Sequence, residues 1–140
     1  MAGEEREALA AIGDRLCAEL GYPSPADPAG AALERAAGNP VPFAELLSPE
    51  DELLVAAARR SLIRLAASLL AEHSPAILDT SLRALLDGSE LVMRSELAAG
   101  NSLLPLMPSF VYLIVLPMLS QDEAVALSRR TASLLEEGLD

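Results

Sequence analysis

Apolar positions recur at spacings of three and four along most of the chain, the period of helices that turn one face to a core. Over residues 3–20, Leu9, Ile12, Leu16 and Leu20 form one stripe, and Gly21 supplies a C-terminal stop. Tyr22-Pro-Ser-Pro-Ala-Asp-Pro28 reads as a loop. Asp27 and Pro28 then predict the cap and first position of a short helix ended by Gly38-Asn39, and another short helix fits residues 42–47. Ser48-Pro49-Glu50-Asp51 combines a hydroxyl cap, a first-turn proline and first-turn acids, predicting a helix that runs to Glu72. Ser74-Pro75 opens the next, which reaches Ala98 before Gly100-Asn101. Its periodic apolar residues are Leu78, Leu82, Leu85, Leu86, Val92, Met93 and Leu97. Gly88 lies inside it at a cost of about 1 kcal/mol relative to Ala, as a site of close helix approach or a break. Ser120-Gln-Asp-Glu123 is a capping box for a last helix closed by Gly138.

No strand pattern, repeat or low-complexity linker interrupts this series. The fold class expected is an all-α bundle of six to seven helices in one domain over residues 1–140. Residues 1–47 would supply short N-terminal helices, helix-turn-helix-like at most. Residues 48–140 would form a long-helix bundle with a dimer interface.

Between Leu97 and Gln121 the chain has no charged residue. A membrane span needs about 20 apolar residues, whereas Pro105, Pro108 and Pro117 interrupt this segment. A helix from Ser109 to Leu119 is only about 16 Å long. The segment therefore predicts burial in the bundle or at a dimer interface, or the wall of an apolar pocket. In the pocket reading Tyr112, Ser109 and Asn101 orient a small apolar ligand alongside Met93, Met107, Phe110 and Met118.

Composition strengthens the helical reading. The hydrophobic fraction is 51% with only 3% aromatic, dominated by Ala and Leu, which suits close-packed helices. The formal net charge of -11 is concentrated in residues 1–58, where three Arg face eleven acids. Phosphate backbones are bound by cations, so this third is expected to repel nucleic acid. All ten basic residues are Arg. Arg59, Arg60 and Arg64 form the densest basic patch, a candidate grip for an acidic partner or anion and otherwise a solvated helix face. The start Met-Ala-Gly-Glu-Glu lacks a basic region followed by an apolar one, so a cytoplasmic location is the expectation.

Candidate chemistry is sparse. There is no Gly-rich phosphate loop, zinc spacing or calcium loop, so neither metal nor cofactor is expected. His73 is the single histidine and falls at a helix end, where its cation suits the dipole. Cys17, the single cysteine, lies near the first apolar stripe and reads as a small core residue, with Arg15 facing outward. Glu90 and Glu96 flank Arg94 at a spacing suited to surface ion pairs. No set of catalytic groups emerges, and the chain is not expected to be an enzyme.

Three stretches resemble the N-terminal part of TetR-type bacterial regulators. Glu7-Ala-Leu-Ala-Ala-Ile-Gly-Asp-Arg-Leu-Cys-Ala-Glu-Leu-Gly-Tyr22 is similar to the family's first helix with its closing Gly-Tyr pair. Leu33-Glu-Arg-Ala-Ala-Gly38 resembles its second helix and turn, and Ser48-Pro-Glu-Asp-Glu-Leu-Leu54 the start of its fourth helix. The family's recognition helix would fall at Asn39-Pro-Val-Pro-Phe-Ala-Glu-Leu-Leu47, which has two prolines and no basic residue. The resemblance thus implies a degenerate or truncated relative without competent DNA binding. It also implies a homodimer through helices near residues 75–98 and 121–137. The expected function is non-enzymatic regulation or ligand sensing; the alternative is a helical interaction or scaffold protein with no ligand.

Overall fold

The computed structural model describes residues 2–21, 47–72 and 80–139. Among them are α1 (Ala2–Leu20), α2 (Pro49–Glu72), α3 (Thr80–Ala98), a 3-10 turn (Leu104–Leu106), α4 (Met107–Val115) and α5 (Gln121–Glu136). The described residues are therefore all-α, with five α-helices among them against the six or seven expected for the whole chain. The short helices expected over 27–38 and 42–47 fall on residues 22–46, outside the described residues, as do His73 and the Ser74-Pro75 start. Leu47 is described and is not helical.

Local signals set the helix ends. Gly21 takes φ 70° after α1. The Ser48 Oγ accepts a hydrogen bond from the Asp51 N–H at 3.2 Å, satisfying one of the donors that a helix start leaves open. After α3, Asn101 N–H reaches the Glu96 carbonyl at 2.9 Å and Gly100 N–H the Leu97 carbonyl at 3.0 Å, the paired bonds of a Schellman stop. The same pair closes α5 through Leu139 to Leu134 at 2.8 Å and Gly138 to Leu135 at 3.2 Å. Ser120 and Glu123 form both halves of the expected capping box. Pro117 has no N–H to continue α4, which stops at Val115, shorter than the Ser109–Leu119 helix considered from sequence.

The core is arranged around α2. Between Ser61 and Leu70 every residue but Arg64 is buried, because α1, α3 and α4 all pack against this helix. α1 contributes Leu9, Ile12, Leu16 and Cys17, while Leu20, expected on the same stripe, is exposed. From α3 come Leu82, Leu86, Met93 and Leu97; Val92, expected to be apolar and inward, is outside. The uncharged segment supplies Leu103, Met107, Phe110, Val111, Ile114, Val115 and Met118. α5 lies along α4 and adds Ala124, Leu127 and Leu134.

α1 and α2 meet closely at Gly13. A Cβ built there would sit 3.0 Å from the Ser61 carbonyl carbon and 3.1 Å from its Cα. Beside it the Ser61 hydroxyl donates to the Leu9 carbonyl. This site, not Gly88, is where two helices meet closely; an added Cβ at Gly88 would touch nothing. Gly13→Ala is expected to lower stability by about 1–3 kcal/mol, because backbone rather than a flexible side chain must give way. A urea midpoint equal to wild type would show that α1 and α2 separate freely.

Candidate functional site

The structure divides the seven ligand-pocket candidates into two groups. Met93 and Met107 are fully buried, and Phe110 and Met118 nearly so, all within the same apolar cluster. Asn101 and Ser109 are exposed and Tyr112 is half-buried against the core. Asn101 turns back on its own helix end, its Nδ2 donating to Glu96 at 2.8 Å. Two open clefts lie elsewhere. One of about 510 Å³ is bounded by Glu4, Glu5, Ala8, Leu104, Leu135 and Leu139. Its neighbour, of about 360 Å³, shares Glu4, Ala8 and Leu139 and adds Glu7 and Ala11. None of the seven candidates borders either cleft.

The basic patch is likewise divided. Arg59 points inward at 8% exposure. It donates to the Leu86 carbonyl at 3.3 Å and to Asp87 at 3.0 Å, with Glu90 3.9 Å away. Arg64 pairs with Asp14 of α1 at 2.6 Å. Arg60 is exposed. Arg59 and Arg64 therefore bind α2 to its neighbours, and the three do not present one free anion site. The adjacency of Arg59 and Arg60 suggested a shared outer surface, but α2 has helices on several sides and so buries residues that a single-faced helix would expose.

Arg94 is a second internal tie. Its guanidinium meets the Glu52 carboxylate twice, at 2.7 and 2.9 Å, and Glu90 lies 4.0 Å from its Nε. The Glu90 half of the expected pairing is thus present, though Glu90 is buried rather than at the surface; Glu96 accepts from Asn101 instead, and the closer tie is the two-bond bridge from α3 to α2. Arg94 holds the Glu52 carboxyl below its ordinary value of 4.5. A carboxyl depressed in the folded state contributes stability that is full above its unfolded value and lost as pH falls through the folded one. Glu52 is 39% exposed at its side chain, so solvent screening keeps the effect small. Glu52→Gln is expected to cost about 1 kcal/mol at pH 7 and much less near pH 3. Urea denaturation at the two pH values checks this; an equal loss at both would assign the effect to packing.

Remaining chemical groups behave structurally. Burial pushes the Cys17 thiol up, only partly countered by Ser68 beside it, which disfavours the reactive thiolate. Arg15 pairs with Glu19 at 3.1 Å on the outer side of α1. Among the described residues no group of three or more His, Cys, Asp or Glu is placed to hold a metal ion. No helix among them is long and apolar enough to cross a membrane.

What the surface does offer is exposed apolar side chains on two helices. On α4 and its flanks, Ser109, Leu113, Leu116 and Pro117 share the side turned from the core, with Leu113 at 45% and Leu116 at 36% exposure. On α3, Leu91 and Val92 are 50% and 46% exposed. The charge-free run was visible in the sequence; that it leaves an apolar side outward was not, because nine helical residues cannot bury their full circumference against one bundle. Comparison with protein-family models, curated proteins and solved structures gives no match, which leaves these surfaces to carry the functional reading.

Proposed function

We propose that this chain is a non-enzymatic helical interaction protein that works by self-association. The observation that carries this reading is the exposure of Leu113 and Leu116 on the charge-free outer side of α4, with Leu91 and Val92 also exposed on α3, in a protein of net charge -11. A helix at a free surface ordinarily carries charged residues outward. Strongly acidic molecules repel one another, so an uncharged face is where two of them meet at least cost.

The ligand-sensing alternative calls for room beside Met93, Met107, Phe110 and Met118, and those side chains are packed against neighbours at 0–6% exposure. The interaction reading asks for a filled core and an apolar outer face. The likeness to TetR-type regulators is compatible with a dimerising helical body, and the acidic N-terminal third argues against a nucleic-acid partner.

Light-scattering mass across a concentration series tests the proposal. The expected result is a mass that rises above the 14.7 kDa of one chain toward twice that value. A constant single-chain mass up to high concentration overturns it. Stoichiometric release of a small apolar molecule on denaturation, with no self-association, would return the function to ligand sensing.

A further inference from the structure

The open clefts of about 510 and 360 Å³ share Glu4, Ala8, Gly138 and Leu139, so they adjoin. Together they make one trough between α1, the 3-10 turn and the end of α5. From Glu4 to Ala11 it follows about 10 Å of α1, two helical turns. Its walls are apolar, with Ala8 and Ala11 on α1, Leu104 from the turn, and Leu135 and Leu139 at the end of α5. All five are half-buried, so each keeps apolar surface open to the trough. One end is held in place, because Glu5 accepts from the Ser102 hydroxyl at 2.6 Å and from the Leu103 N–H at 2.9 Å.

Charge decides what this trough can hold. Its lining has three carboxylates, from Glu4, Glu5 and Glu7, and no Arg. Glu4 and Glu7 lie one turn apart on α1 and are exposed. Neither forms a hydrogen bond or ion pair among the described residues. Glu52 and Asp87, by contrast, are already bonded to Arg94 and Arg59. The two free carboxylates on the rim therefore stand ready for an incoming cation.

The choice of occupant follows. A nucleic acid is repelled by this rim. A second copy of the chain fits it poorly, since none of the five α-helices has more Arg than acids. A small-molecule site encloses roughly 70–90% of its guest, and a trough open along its length does not. What fits is a segment that brings its own cover, an amphipathic helix with apolar side chains one turn apart and basic residues beside them.

We infer that the trough between α1 and the end of α5 is a docking site for a short basic amphipathic helix of another protein. The apolar side chains of that helix seat between Ala8 and Ala11 on one side and Leu135 and Leu139 on the other. Its cations meet Glu4 and Glu7. This surface is separate from the α4 face and does not depend on self-association there.

A synthetic helix of about four turns, with leucine along one face and arginine on its flanks, tests this by fluorescence anisotropy on the full chain. One-to-one binding is expected, weakened about tenfold in Glu4→Gln/Glu7→Gln. Glu50→Gln/Asp122→Asn removes the same charge outside the trough and is expected to change affinity by less than about threefold. Ala8→Arg puts a cation one turn from Glu4 and is expected to abolish binding while helical content is kept. Equal weakening in the two neutralised proteins would overturn the site, because general attraction to an acidic chain would then explain it. Equal affinity for a scrambled peptide without an apolar face would overturn it too, as would no binding to wild type. Octylammonium bound as tightly as the peptide would replace the helix with a small organic cation. Loss of the light-scattering dimer in Ala8→Arg would replace it with a second copy of the chain.

Discussion

Phe110→Ala is expected to lose about 3–5 kcal/mol of folding stability, among the largest effects of any single substitution in this chain. Phe110 is 4% exposed on the inward side of α4, among Met107, Val111 and Ile114. Removing its ring deletes apolar area and leaves a void that close-packed neighbours refill only in part. The thermal midpoint should fall by roughly 10 °C or more. A void of that kind is apolar and stays dry, so the variant, unlike wild type, should gain stability from a small apolar probe such as benzene. A loss under about 1 kcal/mol would mean that space already exists around Phe110, which is the condition that ligand sensing needs.

Arg59→Ala is expected to cost about 3 kcal/mol, the lower part of the range for removing one member of a buried ion pair. The cost has two sources. Asp87 and the Leu86 carbonyl lose the Arg59 donors at 3.0 and 3.3 Å. Glu90, 3% exposed, loses its nearer cation at 3.9 Å and keeps Arg94 at 4.0 Å. Arg59→Met/Glu90→Leu, which removes the buried charge together with its partner, should recover part of the loss. Chemical denaturation of the three proteins distinguishes the outcomes. A single variant within about 0.5 kcal/mol of wild type would show that Arg59 is a surface residue after all.

These two positions mark how far the sequence is legible. Helix boundaries were readable wherever the signal was local: Gly21, Ser48-Pro49, Gly100, Ser120 with Glu123, and Gly138 each act within a few residues of the end they define. Burial of the charge-free segment was readable too, since a run with no charged group has few alternatives. Arg59 was not, because what decides its direction is Asp87, 28 residues away on another helix. Gly13 and Gly88 carry the same sequence signal, a glycine inside a helical pattern. Only the path of α2 across α1 shows that the first is crowded and the second open. The pocket reading of Met93, Asn101, Met107, Ser109, Phe110, Tyr112 and Met118 joined residues by type, whereas the helix period sends them to opposite sides.

Both ends of α1 are fastened to the other end of the chain. Glu5 accepts from Ser102 Oγ at 2.6 Å and from Leu103 N–H at 2.9 Å, and Glu19 accepts from Arg130 Nε at 2.7 Å. On a ribosome the first helix is therefore made long before its last partners emerge, 97 and 111 positions later in the chain. α1 and α2 can dock as soon as both have left the exit tunnel, since their contact depends on neither clasp. The Glu5 clasp can close once residues 102–103 have emerged, and the Glu19 clasp only when α5 has been synthesised. Translation thus imposes an order on assembly in which the helical pair forms early and the ring of contacts is sealed at the end.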